Sequence, residues 1–243
     1  MEIIMNNATK KRLICMDLDG TLTQHRSQLD AQNTAILDRL RAKYKLLMVG
    51  AGNVPRINGQ MNNYPIDILG NYGMQEGHFI DGQIVIVRQD TQEVDKEFFL
   101  TQCAYLREKY GYTEYKGQPV EFHASGMVTF PLLGTAADVA DKLTFDPTRE
   151  KRKVLYPEVL EIFKDFTVFI GGSSSFDFSA KKYNKYDAIV TYAKENGYAL
   201  DEILYVGDDF GDGGGDSHVR LGGLDYINIT DYTKFGEAMA EYL

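Results

Sequence analysis

The sequence predicts an α/β protein: a parallel, helix-covered sheet built from both ends of the chain, with an α+β insert at about residues 88–180. Three observations carry this. Short apolar runs alternate with amphipathic segments over the first 70 residues; hairpin signals take over after Asn71; and the alternation resumes near Asn184.

Arg12-Leu-Ile-Cys-Met-Asp-Leu-Asp19 is almost wholly apolar and ends in acids, as a buried parallel strand does where its carboxyl end meets solvent. Residues 30–43 read as a helix with Asp30 as N-cap and Ile36, Leu37 and Leu40 on one face. Lys45-Leu-Leu-Met-Val49 is the second strand, followed by Gly50-Ala-Gly-Asn53, a short helix near residues 56–61, and a third strand at 66–69. Asp81-Gly82-Gln83 between apolar runs marks a hairpin.

The insert then reads as a helix near 93–110 and paired strands at 120–123 and 127–130. Another helix is capped by Asp146-Pro147 and broken or kinked at Pro157, and strands follow at 167–170 and 175–178. The core resumes with a helix from Asn184 to Asn196, strands at 202–206 and 226–229, and a closing helix from Asp231. The domain expectation is therefore a core of residues 1–87 and 181–243 and a cap of residues 88–180.

Composition narrows the function. The 243 residues carry 26 Lys+Arg against 35 Asp+Glu, a formal charge of −9, which argues against a nucleic-acid surface. No apolar run approaches the roughly 18 residues of a membrane span, and residues 1–10 lack the apolar segment of a secretory signal. Cys15 and Cys103 sit in apolar segments, as buried reduced thiols do, so a cytoplasmic protein is expected. His25, His78, His123 and His218 are too dispersed to form a zinc pattern with those cysteines.

Asp17-Leu-Asp19-Gly-Thr-Leu-Thr23 stands at the end of the first strand, where open α/β sheets place their ligands. Two carboxylates at a buried sheet edge need a cation or hydrogen bonds to offset their repulsion. An EF-hand is excluded, since its glycine and glutamate positions hold Leu22 and Gln28. Gly207-Asp208-Asp209-Phe-Gly-Asp212-Gly-Gly-Gly-Asp216 is a second acidic loop after a strand, and paired with the first it reads as a magnesium site. Gly50-Ala51-Gly52 begins a dinucleotide-like pattern, but Pro55 holds its third glycine position, so a phosphate cradle with Asn53 is the better reading. Lys185 opens a core helix where the insert ends and supplies the cation that two carboxylates and a phosphate require. Tyr183, Tyr186 and Tyr192 read as packing and rim residues.

Asp17-Leu-Asp-Gly-Thr-Leu-Thr23, Lys185 and Gly207-Asp208-Asp209 follow one another as in the haloacid dehalogenase superfamily, which the chain resembles. Val49-Gly-Ala-Gly-Asn53, Val120-Glu-Phe-His with Gly126-Met127, Ser175-Phe-Asp177 and Gly213-Gly-Gly-Asp216 extend the resemblance to its type IIB, eukaryotic phosphomannomutase-like members. The resemblance implies a Rossmann-like core with an inserted open-faced sheet cap. It also implies Mg²⁺, Asp17 as nucleophile, Asp19 as acid and base with its carbonyl on the metal, and Lys185 as charge stabiliser. Asp208 would be the further metal ligand, supported by Asp212 or Asp216.

Two departures from the family pattern matter. The second motif usually offers a Ser or Thr hydroxyl where Gly52 stands, a donor whose loss costs on the order of 2.7–4 kcal/mol unless the Asn53 amide or the Gly52 N–H replaces it. Two cap positions that hold phosphate-binding arginines in the mutases are His123 and Thr135, leaving Arg149. The expectation is therefore a phosphatase of a small phosphorylated metabolite, a sugar phosphate, working as a monomer or a cap-mediated dimer. A phosphohexomutase and a metal- and phosphate-binding homologue without turnover are the alternatives.

Overall fold

The chain alternates β1 (Leu13–Met16), α1 (Ala31–Arg41), β2 (Lys45–Val49), α2 (Val54–Gln60) and β3 (Asp67–Gly70) in a computed structural model that describes residues 10–25 and 27–243. Residues 1–9, most of the stretch that lacks a secretory signal's apolar segment, lie outside the described residues. Among the described residues no helix is long and apolar enough to cross a membrane.

β1 is buried at every position because both of its faces are covered. Ile14 and Met16 join Leu37, Leu40, Val54 and Ile57 on one side, and Leu13 and Cys15 join a separate cluster on the other. Asp30 caps α1 by accepting from Asn33 N, as its position before the apolar stripe predicts. β4 (Gln75–Ile80) and β5 (Gln83–Gln89) form the expected hairpin, whose turn is Asp81-Gly82 alone. Both turn residues have positive φ, 50° and 84°, the twist that matches a two-residue loop to its strands.

The chain returns through α6 (Lys185–Glu195), β10 (Ile203–Gly207), α7 (Ser217–Leu221) and β11 (Asp225–Asn228), with the elements between lying in the insert. The sheet order is β11-β10-β1-β2-β3-β4-β5, parallel from β11 to β3 and antiparallel over the hairpin. β1 thus lies where the strand order reverses, and its carboxyl end is the place such folds keep for a ligand. α6 and α7 supply Ile189, Tyr192 and Val219 to the cluster on the Leu13 side.

The expected closing helix is broken. Asp231 accepts from Thr233 N, but a 3₁₀ turn (Tyr232–Lys234), one turn of α8 (Phe235–Ala238) and a second 3₁₀ turn (Ala240–Tyr242) follow. Gly236 lies so close to Ile36 that a Cβ there would stand 2.8 Å from its Cδ1, so tertiary packing selects a poor helix former.

The chain divides into two units. One holds the described residues up to Gln89, Asn184–Asp212 and Asp216–Leu243; the other holds Asp90–Tyr183 and Gly213–Gly215. The second unit contains α3 (Lys96–Tyr110), β6 (Glu121–Phe122), β7 (Val128–Pro131), α4 (Val139–Phe145), α5 (Glu150–Ile162), β8 (Phe166–Phe169) and β9 (Ser175–Ala180). Its antiparallel sheet, ordered β6-β7-β9-β8, buries Val128, Phe130, Phe176 and Phe178 with Phe99, Leu155 and Phe163 of the helices. Glu121, Thr129 and Asp177 alternate onto the opposite, polar face.

Two expectations for α5 are corrected. Asp146 and Pro147 precede the helix: Arg149 takes the cap position at φ 64°, and the Asp146 carboxylate reaches forward to accept from Lys151 N and Arg152 N. Pro157 lies inside α5 at an exposed position and does not break it.

Candidate active site

The site gathers at the carboxyl ends of β1 and β10. Asp17 follows β1, its N–H donating to the Val206 carbonyl at 2.9 Å, so that the nucleophile candidate is registered against the neighbouring strand. Asn184 caps α6 and delivers Lys185 buried at the first helical position. The lysine Nζ lies 2.8 Å from Asp17 Oδ1, 2.7 Å from Asp216 Oδ1 and 3.2 Å from the Tyr205 hydroxyl.

Asp216 is the organiser of the acidic loop. With 0% exposure, one carboxylate oxygen accepts from Lys185 and from Tyr205 OH at 2.6 Å, and the other accepts from Asp208 N at 3.1 Å and Asp209 N at 2.9 Å. Thr21 Oγ1 donates to Asp208 Oδ1 at 3.1 Å and ties the loop to the turn after β1.

Asp17, Asp208 and Asp216 each bring a carboxylate oxygen within 4.8 Å of the others. Burial pushes Asp17 up to about 7 against the pull of Lys185, with repulsion from Asp216 and Asp208 adding to it. Burial and Asp216 push Asp208 up to about 6. Burial works in the same direction on Asp216, but Lys185 and the hydrogen bonds outweigh it and hold that carboxyl below its ordinary range. Lys185 is raised, its two carboxylates overcoming burial. A set of hard oxygen donors with one buried lysine among them fits a hard divalent cation.

The structure brings together Asp17, Lys185, Asp208 and Asp216, but not Asp212. That side chain is 95% exposed and meets Arg220 at 3.3 Å, because the loop turns it outward while its last acid turns in. Asp19 leaves the cluster as well: Arg56 Nη2 and Gln60 Nε2 each donate to its carboxylate at 2.6 Å. Gly50, Ala51 and Gly52 form the loop after β2, and a Cβ at Gly50 would lie 4.0 Å from Asp17 Oδ1. Asn53 Oδ1 is taken by the cap of α2, accepting from Arg56 N at 2.9 Å, so the residue serves the helix. Arg149 belongs to the second unit.

The residues missed from sequence are Arg56, Gln60 and Tyr205. The first two stand four apart on α2, a spacing that puts both on one face, and the Asn53-Val-Pro55 helix start was the available signal. Tyr205 is hidden in the apolar run of β10.

Residues 14–213 match the haloacid dehalogenase-like hydrolase family, and the chain belongs to it, in the type IIB, phosphomannomutase-like branch. A phosphomannomutase of Encephalitozoon cuniculi is 24% identical over 247 residues, covering 95% of this chain and 94% of that protein. The solved structure of a haloacid dehalogenase-like hydrolase from B. subtilis superposes with a TM-score of 0.64 at 15% identity, covering 96% of this chain and 99% of that one. The Plasmodium falciparum IMP-nucleotidase reaches 0.68 at 12% identity, over 97% of this chain and 71% of that chain. These two likenesses concern the fold.

Proposed function

We propose that the chain is a Mg²⁺-dependent phosphatase of a small phosphorylated metabolite, a sugar phosphate, working through an aspartyl-phosphate on Asp17. The observation that carries this is the contact of Lys185 with Asp17 inside a cluster of three carboxylates, of which Asp216 is buried and Asp17 and Asp208 are partly exposed. Asp17 and Asp208 would hold the cation together with the Asp19 carbonyl, and Asp216 would steady the loop. When bound, the cation supplies charge neutralisation between the carboxylates and phosphoryl oxygens.

Lys185 opposes the burial that favours a proton on Asp17 and orients its carboxylate for attack on phosphorus. An Asp17 oxygen forms the new bond to phosphorus as the ester oxygen departs, and Asp19 gives that oxygen its proton. Water then attacks the phosphorus, Asp19 takes the water's proton, and the Asp17–phosphorus bond breaks to release phosphate. Gln60, Arg56 and the turn around Gly20 fix where Asp19 stands.

The phosphatase reading is preferred to a mutase on the second unit's polar groups. His123 Nε2 bonds Thr129 Oγ1 at 3.0 Å and Thr135 Oγ1 accepts from Gln118 N, so neither position offers a guanidinium. Arg107 and Arg152 are buried and donate to backbone carbonyls, so neither guanidinium is available to a second phosphate. The full-length phosphomannomutase relative favours the mutase as the second reading. Buried Cys15 and Cys103 agree with a reducing cytoplasm.

Phosphate release from a panel of phosphorylated metabolites, with and without Mg²⁺, tests the proposal. Release by the wild type and none by Asp17→Asn is the expected result. Interconversion of hexose 1- and 6-phosphates with a bisphosphate activator would shift the reading to a mutase, and inertness toward every substrate would shift it to the non-catalytic alternative.

A further inference from the structure

We propose that Arg56 is a ligand of the phosphoryl group, and that residue 52 is glycine because the Arg56 guanidinium fills the space a side chain would take. The inference rests on the phosphoryl-transfer reading above. It starts from a shortage of donors. Lys185 has three N–H bonds and three acceptors of this protein within 3.2 Å, namely Asp17, Asp216 and the Tyr205 hydroxyl, so it has none left for an incoming anion. A second cation is needed, and α2 provides one.

Gly52 is explained by no backbone requirement. Its φ lies outside the left-handed range that favours glycine, unlike that of Gly20 at +91°. The atoms a Cβ would meet there all belong to Arg56: Nη1 at 2.8 Å, Cδ at 3.3 Å and Cζ at 3.4 Å. At Gly70, by contrast, the obstruction is backbone. The guanidinium therefore lies against the same loop whose Gly50 approaches Asp17. Nη2 is engaged by Asp19 at 2.6 Å and Gln60 at 3.4 Å, while Nη1 has no protein partner among the described residues. The side chain is 43% exposed, so an anion in the site can reach it. A planar fork with one arm on Asp19 and the other open suits bidentate recognition of phosphoryl oxygens.

The test is a mutant cycle read by calorimetric binding of orthovanadate to the full chain with Mg²⁺, with melting curves for every variant. Arg56→Ala is expected to weaken orthovanadate about tenfold or more, and Arg56→Lys to fall between it and the wild type. Gly52→Ser weakens binding when Arg56 is present, because its Cβ displaces the guanidinium, and strengthens binding in the Arg56→Ala background, where the hydroxyl takes the vacated place. The inference is overturned if Arg56→Ala stays within twofold of the wild type, if Gly52→Ser acts equally in both backgrounds, or if the wild type binds no orthovanadate. Should Arg56→Ala fail to fold, Arg56→Lys and Gly52→Ser decide by the same readout. Orthovanadate binding through Arg56 without phosphate release from any metabolite would overturn the phosphatase reading and leave this inference standing; release that is indifferent to Arg56 would do the reverse.

Discussion

Removing the Asp216 carboxylate separates the loop's organiser from its other acids. Asp216→Ala strips a fully buried acceptor from Lys185, Tyr205 OH and the N–H groups of Asp208 and Asp209. Breaking a buried ion pair from one side costs about 3–5 kcal/mol. The orphaned amides add on the order of 1 kcal/mol each, offset by relief of the repulsion that Asp216 exerts on Asp17 and Asp208. A net loss of about 3–5 kcal/mol in a chain of this size lowers the melting temperature by roughly 6–20 °C. Asp216→Asn is no rescue: its single carbonyl serves either the lysine and tyrosine or the two amides, and its NH₂ then faces donors. Asp212→Ala, which loses one exposed contact with Arg220, should stay within about 0.5 kcal/mol of the wild type. Calorimetric melting in EDTA checks both. An Asp216→Ala protein melting within a degree or two of the wild type, or an Asp212→Ala protein equally damaged, would refute the assignment of roles.

Three further outcomes follow from the same geometry. Asp17, pushed to about 7, and Asp208, pushed to about 6, lie above the unfolded value near ~3.9, so the folded chain holds extra protons between about pH 4 and 7. These groups therefore make the metal-free protein lose stability as pH rises through that window, and Mg²⁺ binding should release protons at pH 6 and almost none at pH 8.5, as titration calorimetry in buffers of different ionisation heat will show. Gly20→Ala places a Cβ 2.4 Å from Asp208 Oδ2 at φ +91° and should weaken Mg²⁺ by about tenfold or more in a direct titration, an effect absent for Gly82→Ala on the hairpin turn. Lys185→Met should lower kcat for phosphate release by on the order of 10²–10³, measured at saturating Mg²⁺.

What was legible in the sequence was whatever burial forces. The run from Leu13 to Met16 has to be covered on both faces, and that alone puts Asp17 at a sheet edge. Asn184 announces its helix, and so it announces where Lys185 stands. Asp81-Gly82 announces its turn through the φ values that only such residues adopt readily. The acidic loop was legible as a class of site and illegible in detail. Asp208, Asp212 and Asp216 have the same side chain in the same glycine-rich setting, and only the path of the backbone decides that one is buried, one is exposed and one faces Asp17. Arg56 and Gln60 were illegible for a different reason: their partner Asp19 lies about forty residues away on another element.

The charge of the assembled site links these findings. Among the described residues, Asp17, Asp208 and Asp216 gather about Lys185 and Asp19 pairs with Arg56, so these four carboxylates and two cations leave a formal −2 when all are ionised. A phosphate dianion approaching that site is repelled, whereas one divalent cation brings the site to neutrality. Protons can meet the same deficit in the absence of metal, and the raised values of Asp17 and Asp208 are the sign of it. Metal and protons are therefore competitors for one charge, and the order of events follows. On the proposed function, Asp17 and Asp208 would give up their protons on holding a divalent cation, Asp17 would then be free to act as a nucleophile, and the anion would enter afterward. Orthovanadate should accordingly bind the Mg²⁺-loaded chain far more tightly than the EDTA-treated chain at pH 8, with the difference growing as the pH rises from 6. Equal affinities with and without Mg²⁺ would mean that the −2 does not govern the site, and that Arg56 holds the anion without help from a divalent cation.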